Sequence, residues 1–137
     1  MHRLMLVDDQ VVAVMELEEH LRLMGYDIVG MASSGQEAVS MAKDLRPDLV
    51  LMDIVMPGKW DGIAAAERIK AELDIPVIFL TGYAEEHFIE RAKKVEPFGY
   101  VLKPLQEEQI KVAIEIALYR KKMEERLQKA HDELERL

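Results

Sequence analysis

The chain has 137 residues, half of them hydrophobic, with 26 acidic against 18 basic side chains and no cysteine; that length accommodates one domain with a real core and no second one. A formal charge of −8 repels nucleic-acid phosphates and anionic lipid, so no direct nucleic-acid binding and no membrane association are expected of this segment. The missing cysteines exclude disulfides, thiol catalysis and Cys-ligated zinc, and the lack of a long apolar run or leader pattern predicts a cytoplasmic address.

Taken in order, Arg3 to Val7 is a short apolar run that ends in Asp8 and Asp9, a strand delivering two acids. Val11 to Met24 carries apolar residues at helical spacing, and Gly25 is its stop. Tyr26 to Ala32 reads as a second strand. Ser34 and Glu37 then form a capping box for a second helix that reaches about Leu45. Pro47 breaks the chain before Leu49 to Met52, four apolar residues with the two-faced hydrophobicity of a central parallel strand, running into Asp53. Pro57, Gly58, Asp61 and Gly62 make a turn-rich loop before a third helix from Ile63 to Leu73. Ile75 to Thr81 is a fourth strand, Glu85 to Val95 a short and highly charged fourth helix, and Phe98 to Leu102 a fifth strand closed by Lys103 and Pro104. Strands alternating with helices through short loops predict an α/β, doubly wound, three-layer domain of flavodoxin-like (βα)5 type. Right-handed crossovers leave few topologies, and we take the sheet order 2-1-3-4-5. The four histidines, at 2, 20, 87 and 131, lack metal-ligand spacing and read as surface residues.

In a parallel sheet the carboxyl ends of neighbouring strands line one crevice, which is where ligands bind. Asp8, Asp9, Asp53, Thr81 and Lys103 all fall there. Three carboxylates in close company repel by roughly 4 kcal/mol per pair at an effective dielectric near 20, so the cluster calls for a cation. All-oxygen ligation points to Mg²⁺. A hydroxyl and an ammonium beside Asp53 supply donors for an anion, and the chemistry this predicts is phosphoryl transfer to the Asp53 carboxylate.

The stretches LMLVDDQ, LVLMDIVMPG with the following DG, VIFLTGYA and GYVLKP together resemble the response-regulator receiver domain of two-component signalling, over about residues 3 to 118. The resemblance implies that Asp53 is the phosphoacceptor, that Asp9 binds Mg²⁺ directly and Asp8 largely through water, and that the Val55 carbonyl is a further ligand. It implies that Thr81 and Lys103 bind phosphoryl oxygens, that Thr81 and Tyr100 form the switch, and that the Lys103-Pro104 bond is cis. The implied donor is a histidine kinase or a phosphotransfer histidine. The two side chains placed to hold a hydrolytic water are Val55 and Tyr83; neither offers an amide or carboxylate, which predicts a long-lived phosphoryl group. Such a domain is a signalling phosphoacceptor that assists its own chemistry rather than an enzyme.

Three alternatives stand beside this. A degenerate receiver would keep these residues and use the fold only as a binding or dimerisation surface. A phosphohydrolase of the haloacid-dehalogenase type needs an acid two residues after its nucleophile, where this chain has Val55. A flavin carrier needs phosphate-binding Gly, Ser or Thr after the first strand, where this chain has DDQV.

Nothing interrupts helical spacing from Glu107 to Leu137, so residues 1-118 are read as the receiver and 119-137 as a helical extension. Ala113, Ile116, Arg120, Met123, Leu127, Ala130, Leu134 and Leu137 follow a 3-4 spacing with one charged interruption, the pattern of a coiled-coil seam and a possible homodimer. Tyr119, Glu124, Arg126, His131 and Glu133, which flank that seam, do not set partner or orientation by charge, and a solvated single helix is the other reading. The extension is similar to the helix by which receivers lead into sensory or output modules, so a longer parent protein is expected.

Overall fold

A computed structural model describes residues 1–82 and 86–137. The elements in chain order are β1 (Arg3–Val7), α1 (Val11–Leu23), β2 (Asp27–Ala32), α2 (Gly35–Leu45), β3 (Leu49–Asp53), α3 (Gly62–Leu73), β4 (Val77–Thr81), α4 (Glu86–Val95), β5 (Gly99–Leu102) and α5 (Glu107–Glu135). The strands form one sheet in the order β2-β1-β3-β4-β5, every pairing parallel. Fold class and strand order are as the sequence predicts.

Period-two alternation divides the core into two layers. Leu4, Leu6, Leu49, Leu51, Ile78 and Leu80 face one way and pack with Val14 and Leu21 of α1 and with Ile110, Ile114 and Ala117 of α5. Met5, Val7, Val50, Met52, Val77 and Phe79 face the other way, against α2, α3 and α4. The central strands β3 and β4 are buried at every position, which is why they read as unbroken apolar runs.

Element ends differ from expectation by a residue or two for identifiable reasons. Strand β4 starts at Val77 because Pro76 has no N–H for the ladder, although its carbonyl still accepts from the Val50 N–H at 3.0 Å. Tyr26 belongs to the turn that ends α1: its N–H donates to the Leu21 carbonyl, while Gly25 takes a φ of +97° that other residues reach with strain. The Ser34 hydroxyl caps α2 by accepting from the Glu37 N–H at 3.2 Å. At the other end of α2, Arg46 closes the helix in the left-handed conformation with its N–H on the Ala42 carbonyl, and the Arg3 guanidinium of β1 donates to the Leu45 and Arg46 carbonyls left over.

Helix α5 continues unbroken well past the body of the domain. Its 29 residues give a rod about 43 Å long at 1.5 Å per residue. The seam read from sequence is modified where α5 leaves the body. Ala113 packs against the core, and the Arg120 guanidinium lies 4.6 Å from the centre of the Phe98 ring. Lys121 donates to Asp74 at 2.7 Å. The outward apolar stripe in that region is therefore Val112, Ile116 and Tyr119, and it runs on into Leu127 and Leu134, all of them exposed. No described helix is long and apolar enough to cross a membrane.

Candidate functional site

Because β1, β3 and β4 run parallel and in register, their last residues arrive at one edge. Asp53 pairs with Leu80 and Thr81 with Leu102, which brings Asp53, Thr81 and Lys103 together at the ends of three adjoining strands, Lys103 just beyond β5. Asp8 follows β1 directly, its N–H donating to the Ala32 carbonyl at 3.1 Å and its Oδ1 accepting from the Gln10 N–H at 2.9 Å. One carboxylate oxygen from each of Asp8, Asp9 and Asp53 lies within 4.8 Å of the others. An all-oxygen set with that spacing, half-sunk in the sheet edge, suits a small hard cation such as Mg²⁺.

Asp53 is buried, Asp8 half-buried and Asp9 exposed. The Lys103 ammonium stands 3.2 Å from Asp8 Oδ2 and 3.6 Å from Asp53 Oδ2. The sequence places Lys103 as an anion donor beside Asp53; the structure puts it closer to Asp8, bridging two of the three acids. Burial pushes the Asp53 carboxyl up to about 6, against the pull of Lys103, with Asp8 adding to the rise. The Lys103 N–H donates to the Thr81 carbonyl at 2.8 Å, and the Lys103-Pro104 peptide is cis. Thr81 is fully buried. A cleft of about 290 Å³, lined by Asp8, Asp53, Lys103, Val14 and Leu17, leads from solvent to the acids between α1 and the start of α5.

Tyr100 is half-buried on β5 and packs on the layer shared with α4. Val55 is 39% exposed at the start of the β3–α3 loop. Tyr83, the other residue expected to face a hydrolytic water, lies outside the described residues.

Two features of this site escape sequence reasoning. The Gly62 N–H donates to the Ile54 carbonyl at 2.8 Å, and a Cβ on Gly62 would stand 1.9 Å from the Asp53 carbonyl oxygen. Only a glycine lets α3 begin against the backbone of the central acid. Asp61 caps α3, its Oδ1 accepting from the Ala64 N–H at 2.9 Å, and its carboxylate also takes both terminal nitrogens of Arg91 from α4. The Asp-Gly pair reads in the sequence as a turn; its second and third roles depend on elements distant in the chain.

Residues 4–115 match the family described as the response regulator receiver domain. The chain belongs to that family. The receiver is 40% identical over 118 residues to the transcriptional regulatory protein PdtaR of Mycobacterium tuberculosis, covering 86% of this chain and 57% of that one. It therefore spans about half the length of the curated relatives it matches first. Among solved structures it is similar to the signal receiver domain of a modulated diguanylate cyclase from Desulfovibrio desulfuricans G20, at 39% identity and a TM-score of 0.87 over 90% of this chain and 98% of that one. It also resembles a fusion that carries a trimeric coiled coil of yeast Spc42, at 29% identity and a TM-score of 0.83, covering 98% of this chain and 92% of that one.

Proposed function

We propose that the receiver is a working phosphoacceptor, residues 1–118 forming the switch and residues 119–137 its helical extension. An Asp53 carboxylate oxygen attacks the phosphorus of a phosphohistidine on a kinase or phosphotransfer protein. The P–N bond breaks, its electron pair returns to the imidazole nitrogen, which takes up a proton, and an aspartyl phosphate remains. The observation that carries this reading is the buried Asp53 carboxylate at the end of the central strand, flanked by Asp8, Asp9 and Lys103.

Asp8, Asp9, Asp53 and the Val55 carbonyl would hold Mg²⁺, which would offset the negative charge gathering on the phosphoryl oxygens. Lys103 exchanges its contact with Asp8 for a phosphoryl oxygen, and the Thr81 hydroxyl donates to another. Thr81 moving toward the phosphoryl group and Tyr100 turning inward would then carry the change to the α4, β5 and α5 face. Intact mass after incubation with Mg²⁺ and acetyl phosphate tests the proposal. The expected result is a gain of one phosphoryl group in the parent and none in Asp53→Asn. Equal labelling of both removes Asp53 as the acceptor, and none in either leaves the fold as a binding surface only.

A second copy of the chain is the proposed partner of the extension. The exposed stripe from Val112 through Ile116, Tyr119, Leu127 and Leu134 follows one face of a continuous helix. Arg120, the charged break in the sequence pattern, is engaged with Phe98. The likeness to a coiled-coil fusion spans 98% of the chain and thus most of the extension.

A further inference from the structure

Helix α4 follows β4, whose last residue is Thr81, and it is fastened to α3 at two levels. At its foot, the Lys70 ammonium of α3 donates to the Val95 carbonyl at 2.9 Å and lies 3.4 Å from the Glu96 carboxylate. One turn higher, the Arg91 guanidinium grips Asp61 with both terminal nitrogens, at 2.7 and 3.1 Å. Asp61 is no ordinary surface acid. It caps α3 through the Ala64 N–H, and its neighbour Gly62 closes the β3–α3 loop onto the Ile54 carbonyl, next to Asp53 and Val55.

We infer that the Asp61–Arg91 pair is a positioning link between α4 and the cation-binding loop, so that the placement of α4 and the affinity for Mg²⁺ are coupled. The inference rests on the reading that Asp8, Asp9, Asp53 and the Val55 carbonyl hold Mg²⁺. A half-exposed ion pair adds little to stability, but a two-pronged guanidinium–carboxylate contact fixes direction as well as distance. Displacing α4 relative to α3 drags Asp61, and with it the residue that shapes the loop under the Val55 carbonyl. Linkage makes the effect reciprocal: whatever tightens the loop around a cation must favour the α4 position that keeps the pair intact.

Charge and geometry make opposite forecasts for Arg91, which allows a clean test. If the two residues act only through their fields, Arg91→Gln removes a positive charge and raises Mg²⁺ affinity, Asp61→Asn removes a negative charge and lowers it, and the double variant adds the two. If they act as a link, both single variants weaken binding by about threefold to tenfold, and the double variant is no weaker than the worse single. Asn keeps the helix cap, so the Asp61 variant removes the charge without undoing α3.

Trp60, the one tryptophan of the chain, sits in the β3–α3 loop with the Arg68 guanidinium 4.1 Å from its ring centre, and reports on the loop by fluorescence during an Mg²⁺ titration. Amide exchange of α4 is measured on the same samples, with and without Mg²⁺. Weaker binding in both single variants, non-additivity, and loss of the Mg²⁺-induced change in α4 exchange support the link. Superimposable titrations, additive shifts of opposite sign, or faster α4 exchange at unchanged Mg²⁺ affinity overturn it. A parent whose Trp60 emission and α4 exchange ignore Mg²⁺ overturns both the link and the cation site on which it rests.

Discussion

Replacing Asp53 with Asn should stabilise the metal-free protein, and the gain should disappear in acid. Burial raises the Asp53 carboxyl from 3.8 to about 6 even with Lys103 at 3.6 Å. The folded chain therefore keeps the Asp53 proton through a range in which the unfolded chain has already released it. Since the unfolded state binds fewer protons there, unfolding free energy falls as pH rises, from full stability below about pH 4 to its low value above about pH 6. The displacement is worth about 3 kcal/mol at neutral pH, and an uncharged Asn avoids most of that loss. Urea unfolding at about pH 7.5 should place the Asn variant's midpoint higher by about 1 to 2 M, for a slope near 1.5 kcal/mol per M. At about pH 5 the gap should be roughly half as large, and near pH 4 it should close. Saturating Mg²⁺ stabilises only the chain that binds it, by about 2.7 kcal/mol at a hundred times its Kd, so the cation should narrow or reverse the gap at pH 7.5. An Asn variant no more stable than the parent at pH 7.5, or a gap that survives acid unchanged, would refute the argument that Asp53 is a costly buried charge.

Gly62→Ala should lower stability by about 3 kcal/mol or more, because its Cβ must displace the Asp53 carbonyl from 1.9 Å away, and the same urea titration reads it. Val55→Asn offers an amide to a hydrolytic water and should shorten the phosphoryl lifetime by about tenfold at constant Mg²⁺; a dephosphorylation time course no faster than the parent's removes Val55 from that role. A chain stopped at Tyr119 should scatter light as a monomer at concentrations where the full chain is heavier, and equal masses would mean that the extension is not the interface.

Much of this architecture is legible in the sequence because its signals are local. The apolar runs at Leu49 to Met52 and Arg3 to Val7 need only their neighbours to read as strands, and once the strands are parallel, Asp8, Asp53, Thr81 and Lys103 must share an edge. What escapes is set by contacts between distant residues. That Lys103 leans toward Asp8 depends on its side chain reaching from beyond β5 across the ends of β4 and β3 to the loop after β1. The outward turn of Tyr119 and inward turn of Arg120 follow from Phe98 and Asp74, residues that helical periodicity cannot see. Arg91 finds Asp61 across thirty residues because α3 and α4 lie side by side on one face of the sheet.

The anchoring of α5 at Arg120 and Lys121 has a further consequence for anything joined to its end. With Ile110, Ile114 and Ala117 seated in the core and Phe98 and Asp74 contacting the helix as it leaves the sheet, the azimuth of the rod is inherited from the core. Each residue inserted or removed beyond Lys121 turns the far end by about 100° and shifts it by about 1.5 Å. A fused reporter should therefore respond to linker length periodically, recovering its original heading after about seven residues and facing nearly the opposite way after two.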